Sequence, residues 1–244
     1  MLSLIRKEIN GFLNSLIGYV SILVFIITIS LFLWVFPETG FSVLESGYAN
    51  LDGLFAITPW VYMFLVPAIT MRMFAEERRS GTIEFLLTKP LTELQIVIAK
   101  YVSGVILIIV SLVPTLVYYY SVSELAVPAG NVDQGAIWGS YLGLVFLGAG
   151  FVSIGLFASA LTSNQVVAFI IAMFLCFISF TGFESLSGLF PSGVAANVIY
   201  KLGVNAHYLS MSRGVIDSRD VIYFLSLMAF FIYASKTVLE SRKW

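Results

Sequence analysis

Side chains able to do covalent or metal chemistry are scarce in this chain of 244 residues. It holds one histidine, His207, and one cysteine, Cys176. A single histidine excludes a His-x-x-x-His zinc pair. A Ser–His nucleophile would have to use the same ring, and no Gly-x-Ser-x-Gly elbow is present. His207 stands beside Tyr208 and reads as a structural residue. Cys176 lies inside an apolar run, where it packs, and being alone it cannot form an intrachain disulfide. The dipeptide Gly-Lys does not occur, so a Gly-x-x-x-x-Gly-Lys-Ser/Thr phosphate loop is absent. What remains is a charged cluster, Glu76-Glu77-Arg78-Arg79, followed by Ser80-Gly81-Thr82-Ile83-Glu84-Phe85-Leu86-Leu87-Thr88-Lys89-Pro90. Ile83, Leu86 and Leu87 fall at i, i+3 and i+4, which puts them on one face of a helix. Charges bordering a short apolar stripe suit the docking of a protein partner; a loop packed on the membrane face is the plainer alternative.

The elements that must carry this cluster follow from composition. The chain is 59% hydrophobic and 11% charged, with a mean hydropathy of +0.96. A soluble domain is about 45–50% apolar and about 25% charged. So little charge cannot coat a water-facing surface, and so much apolar surface excludes a disordered chain. The net charge of −1 gives no basic footprint for nucleic acid. These numbers describe an integral membrane protein.

A helix needs about 20 apolar residues to cross roughly 30 Å of hydrocarbon. Uncharged runs supply six such helices, at about 16–36, 56–75, 98–121, 138–161, 165–183 and 220–239. The run from Gln134 to Phe183 is too long for one crossing, and the polar cluster Thr162-Ser163-Asn164-Gln165 divides it. The last run is short, and Lys236 extends it by snorkelling its ammonium to the interface. A β-barrel would need strands of alternating polarity, whereas Leu16 to Phe36 is apolar on both faces. The first run is too long for a cleaved leader and ends in Pro37-Glu38-Thr39-Gly40, so it is expected to be retained. The expected fold is an all-α membrane protein of one domain, residues 1–244.

With the N-terminus inside, the inner segments hold Arg6, Lys7, Arg72, Arg78, Arg79, Lys89, Lys100, Lys236, Arg242 and Lys243, which is 10 of 13 basic residues. The positive-inside rule then puts both termini in the cytoplasm. Residues 1–15 carry Leu2, Ile5, Ile9, Phe12 and Leu13 near a 3.6 period and read as an amphipathic helix in the inner interface. Residues 76–95 are cytoplasmic: Gly81 and Glu84 open a short helix, Lys89-Pro90 ends it, and Thr92 with Gln95 forms a capping box for the next span. Residues 184–219 are outside and are expected to form helices that lie on or dip into the outer leaflet, with Asp217 capping the last span. Gly139-x-x-x-Gly143 in the fourth span is a close-packing pattern. None of the six spans has a charge at mid-membrane, which argues against an ion-coupled carrier. Lipid, glycan and polypeptide all remain open as substrates.

The string from Glu76 to Pro90, with Gly81-Thr82-Ile83-Glu84 and Leu86-Leu87-Thr88 at its heart, resembles the export-type permease subunits of ABC transporters. The resemblance covers essentially the whole chain. The tail from Ser212 to Phe224 looks like the gliding-motility-associated branch of that family. The resemblance implies a coupling helix formed by Glu76, Glu77, Arg78, Arg79, Gly81, Thr82, Ile83, Glu84, Leu86, Leu87 and Pro90. The paired charges would make rim contacts and the apolar residues would anchor in a cytoplasmic ABC ATPase subunit. It further implies a second permease subunit, a pathway between the two, an inner-membrane location and ATP bound only by the partner, with no cofactor in this chain and no enzymatic activity of its own. A membrane scaffold that anchors a cytoplasmic complex without moving anything is the competing expectation.

Overall fold

The computed structural model describes residues 1–87, 91–190 and 193–241, without the side chains of Leu86 and Leu87. Its regular elements, among the described residues, are all helical. In chain order they are α1 (Leu2–Leu13), α2 (Leu16–Ser30), α3 (Asp52–Arg79), α4 (Thr82–Leu87), α5 (Glu93–Leu112), α6 (Leu116–Leu125), α7 (Gln134–Leu161), α8 (Gln165–Phe177), α9 (Phe183–Ser187), α10 (Val194–Leu202), α11 (Val204–Met211) and α12 (Ser218–Glu240). A π-helical turn, Leu31–Val35, prolongs α2, and another, Ile178–Gly182, joins α8 to α9. A 3-10 turn at Val113–Thr115, where Pro114 removes a donor, joins α5 to α6. Among the described residues, six helical stretches are long and apolar enough to cross a bilayer, as expected: Leu16–Val35, Asp52–Arg79, Glu93–Leu125, Gln134–Leu161, Gln165–Ser187 and Ser218–Glu240.

Five of the six crossings start at a side-chain cap. Ser15 accepts from Gly18 N–H, Asp133 from Ala136, Asn164 from Val166 and Asp217 from Arg219. At Thr92 the full capping box forms, with Gln95 N–H donating to the hydroxyl and Thr92 N–H donating to Gln95 Oε1. Each cap satisfies a backbone N–H that would otherwise be unpaired at the edge of an apolar phase.

α7 is the axis of the bundle. Its apolar window is 78% buried, against 67% for α3 and only 22%, 22% and 17% for the first, fifth and sixth crossings. α3, α5, α8 and α12 all pack against it. Small residues permit the approach. A Cβ on Gly148 would lie 2.7 Å from Ile108 Cγ2, and one on Gly155 would collide with the Thr70 hydroxyl. On α5, a Cβ on Gly104 would lie 2.6 Å from Val152 Cγ1 of α7. Both halves of the Gly139–Gly143 pattern are closely packed: a Cβ on Gly139 would sit 2.6 Å from Gly214 Cα, and one on Gly143 would sit 3.1 Å from Met211 Cβ of α11. Its partners are therefore α11 and the turn before α12, which Ser140 also holds by donating to Ser212 O at 2.7 Å.

α3 carries Pro59 and Pro67 in its interior. Pro59 has no N–H to give to the carbonyl of Phe55, four residues back. The Tyr208 hydroxyl of α11 donates to that oxygen at 2.6 Å, and both side chains are buried. The oxygen that Pro59 leaves without its helical partner is thus paired by a side chain 153 residues away. His207, next to Tyr208, is held from three sides: Nδ1 lies 2.7 Å from Asp220 Oδ1, Nε2 lies 2.9 Å from Lys201 O, and Tyr223 stacks on the ring at 3.9 Å. Both ring nitrogens are engaged in holding α10 and α11 to α12.

Candidate functional site

The charged cluster read from the sequence lies on the last turn of α3, at the end of the bundle shared with α1 and α4. α3 has 28 residues, about 42 Å at 1.5 Å per residue, so its final turns reach past roughly 30 Å of hydrocarbon. The backbone then turns at Ser80-Gly81. Gly81 has φ +71°, a conformation that costs other residues energy. The turn is tied down by hydroxyls: Ser80 Oγ donates to Glu76 O at 2.9 Å and lies 2.9 Å from Thr82 Oγ1. α4 follows at once, so its position is set by the end of α3.

Among the sequence-predicted residues, Glu76, Arg79, Gly81, Thr82 and Glu84 are exposed and Arg78 is half-buried. Glu76 accepts from Arg72 Nε at 3.1 Å, one turn earlier. Ile83 is half-buried and packs on the chain's own core, and Phe85, which the apolar-stripe argument passed over, is 74% exposed. The side chains of Leu86 and Leu87, and Pro90 altogether, lie outside the described residues.

Glu77 requires a correction. Its expected place was the rim, beside Glu76. It is 8% exposed and points inward. There it meets Lys100 of α5, which is completely buried. Lys100 Nζ lies 2.9 Å from Glu77 Oε2, donates to Glu8 Oε1 of α1 at 2.8 Å and donates to Met73 O at 2.6 Å. The Phe74 ring lies 5.1 Å from the same ammonium. Lys7 of α1 closes the arrangement by donating to Glu77 Oε1 at 2.7 Å, with Glu8 Oε1 at 3.6 Å. Two lysines and two glutamates form a ring without net charge, drawn from three helices. A buried ammonium is tolerable only when its donors are met, and here three oxygens surround it.

The same end of α3 is gripped from α7. Ser159 Oγ accepts from Phe74 N–H at 3.0 Å and from Ala75 N–H at 3.1 Å, and donates to Met71 O at 3.0 Å. Arg72 Nη1 donates to Ser15 Oγ at 3.1 Å, so the α1–α2 corner is attached as well. Between α1 and α3 lies a cleft of about 420 Å³, lined by Lys7, Glu8, Phe12, Arg72 and Glu77 among others. The sequence signal for the ring was only that Lys100 fell at the start of a span; nothing local pointed to its partners on α1.

An all-helical bundle of six apolar crossings, with a short tethered helix at one end, defines a multi-pass membrane protein. Residues 38–235 match the family described as ABC-2 family transporter protein, and the chain belongs to that family. The match takes in α3 to α11 and most of α12 and leaves α1 and α2 outside. No curated protein matches the chain. Membership makes the chain a permease component of an ABC transporter, a component that in this family generally does no catalysis itself and typically works with a cytoplasmic ATPase.

Proposed function

We propose that the protein is the membrane subunit of an ATP-driven exporter, that two such subunits enclose the pathway, and that α4 seats in a separate cytoplasmic ATPase. The observation that carries this reading is α4 itself. It is a six-residue helix fastened to α3 by the Gly81 turn, and it presents Glu84 and an exposed Phe85 at the bundle end. Pairing with a second permease subunit is supported by the apolar faces that α2, α8 and α12 leave uncovered in one chain. The charge count supports an inner-membrane protein with both termini in the cytoplasm. The tail from Ser212 to Phe224 supports placement in the gliding-motility-associated branch of Bacteroidetes, with a role in surface movement or secretion.

The test is a detergent pull-down from native membranes. The full chain is expected to retain an ATPase subunit, and a Gly81–Pro90 deletion is expected to lose it. Retention by the deletion variant would refute the assignment of α4. If an inactive ATPase left the cellular role intact, the protein would be a scaffold and the transport reading would fall.

A further inference from the structure

We propose that Lys100 is a positioning residue that clamps α1 to the stem of α4, so that a displacement of α4 is passed to α1. This rests on the reading of α4 as the ATPase-docking element. Lys100 is buried, and its ammonium is spent entirely inside the chain: on Glu8 of α1, on Glu77 of α3 and on the backbone oxygen of Met73. Glu77 lies three residues before Ser80, where the α4 turn begins, and its second oxygen holds Lys7 of α1. α1 and the α4 stem thus hang on the same two side chains. The links join residues 70 and 92 positions apart in sequence, so they hold together elements that local geometry does not. α1 has further attachments to the same two helices, with Arg72 of α3 donating to Ser15 and Ser103 of α5 donating to Ile5 O at 3.5 Å. The first is charge-assisted, the second is neutral and long, and α1 also packs Leu4, Ile5, Ile9, Phe12 and Leu13 on the core; the ring differs in tying α1 to Glu77, at the foot of the α4 turn, through a fully buried ammonium. α1 lies outside the family match, so the clamp joins an element that the match does not cover to the element that the family shares.

The test uses the full chain with Cys176→Ala, which removes the single native cysteine, and spin labels at Gly11→Cys and Arg79→Cys. Gly11 has open space around its Cβ position, and Arg79 is exposed on the last turn of α3. The parent is expected to give one narrow separation between the labels. Lys100→Met alone leaves an acid uncompensated and can misfold; Lys100→Met with Glu8→Gln removes one charge of each sign. This double variant, which keeps the Lys7–Glu77 contact, is expected to remain monodisperse in detergent and to broaden the separation. A separation that stays narrow would overturn the clamp.

A second readout uses the Gly11 label alone in the complex with the ATPase. Trapping with ADP and vanadate is expected to change the label's spectrum in the parent and to leave it unchanged in the double variant, which keeps the ATPase bound. No change in the parent, the same change in the double variant, or loss of the ATPase from the double variant would each overturn the transmission role. The distance measurement needs no ATPase, so an α4 that docks nothing would refute the proposed function without touching the clamp itself.

Discussion

Lys100 shows how strongly a single residue's meaning depends on what surrounds it. In the sequence it ends one polar segment and begins an apolar one. In the fold it is an ammonium without contact to solvent, neutralised by Glu8 and Glu77. Removing one member of a buried charged set leaves the others uncompensated, at about 3–5 kcal/mol. Lys100→Met is therefore expected to lower the thermal midpoint in detergent sharply, and adding Glu8→Gln to recover part of the loss. Lys7 is the exposed member of the ring. Burial pushes its ammonium down, but the hydrogen bond and charge of Glu77, with Glu8 behind, outweigh this and hold it above its ordinary value of 10.5. A raised value means that the contribution is complete below 10.5 and disappears as the pH climbs through the folded value above it. The stability difference between the wild type and Lys7→Ala should stay constant at neutral and mildly alkaline pH and shrink only beyond about 10.5. Neither Glu8 nor Lys7 was legible as a partner, because their contacts cross 92 and 70 positions of sequence.

Element boundaries were far more legible, because a helix end must satisfy its own backbone and does so with nearby side chains. The capping box at Thr92 and Gln95 and the cap at Asp217 were both read from the sequence and both form. Thr92→Ala should cost about 1 kcal/mol, measured as a small fall in the thermal midpoint. α3 tells the opposite story. Two internal prolines identify backbone oxygens that lose a partner, but nothing in the sequence says what replaces them. For Phe55 O the answer is Tyr208, from α11. Tyr208→Phe leaves that buried oxygen unsatisfied and should destabilise the fold by about 1–3 kcal/mol, again read by thermal unfolding. Glycine patterns were partly legible. Gly139-x-x-x-Gly143 announced close packing, yet not its partners, Met211 of α11 and the Gly214 turn before α12. Gly155, outside any motif, sits against Thr70 more tightly still. Gly155→Val should overpack that contact and cost about 1–3 kcal/mol, with lowered yield of folded protein in the membrane.

Across the whole molecule, burial is graded outward from α7, and the first, fifth and sixth crossings are left mostly bare. Such apolar faces are stable against lipid or a second subunit and nowhere else. Solubilised protein is accordingly expected to need detergent or lipid throughout, and chemical cross-linking in membranes to yield a dimer if two copies enclose the pathway. Fold class, the number of crossings and the location of a charged, turn-bound helix after the second crossing are all readable from the order of residues. Those follow from hydrophobic run length, capping chemistry and turn residues, all of which act over a few neighbouring positions. That α7 is the axis, that Glu77 turns inward while Glu76 stays out, and that α1 is joined to the α4 stem through Lys100 emerge only from the packed fold. These are meetings of distant side chains, and which charges meet is set by how the helices pack, not by where they lie along the chain.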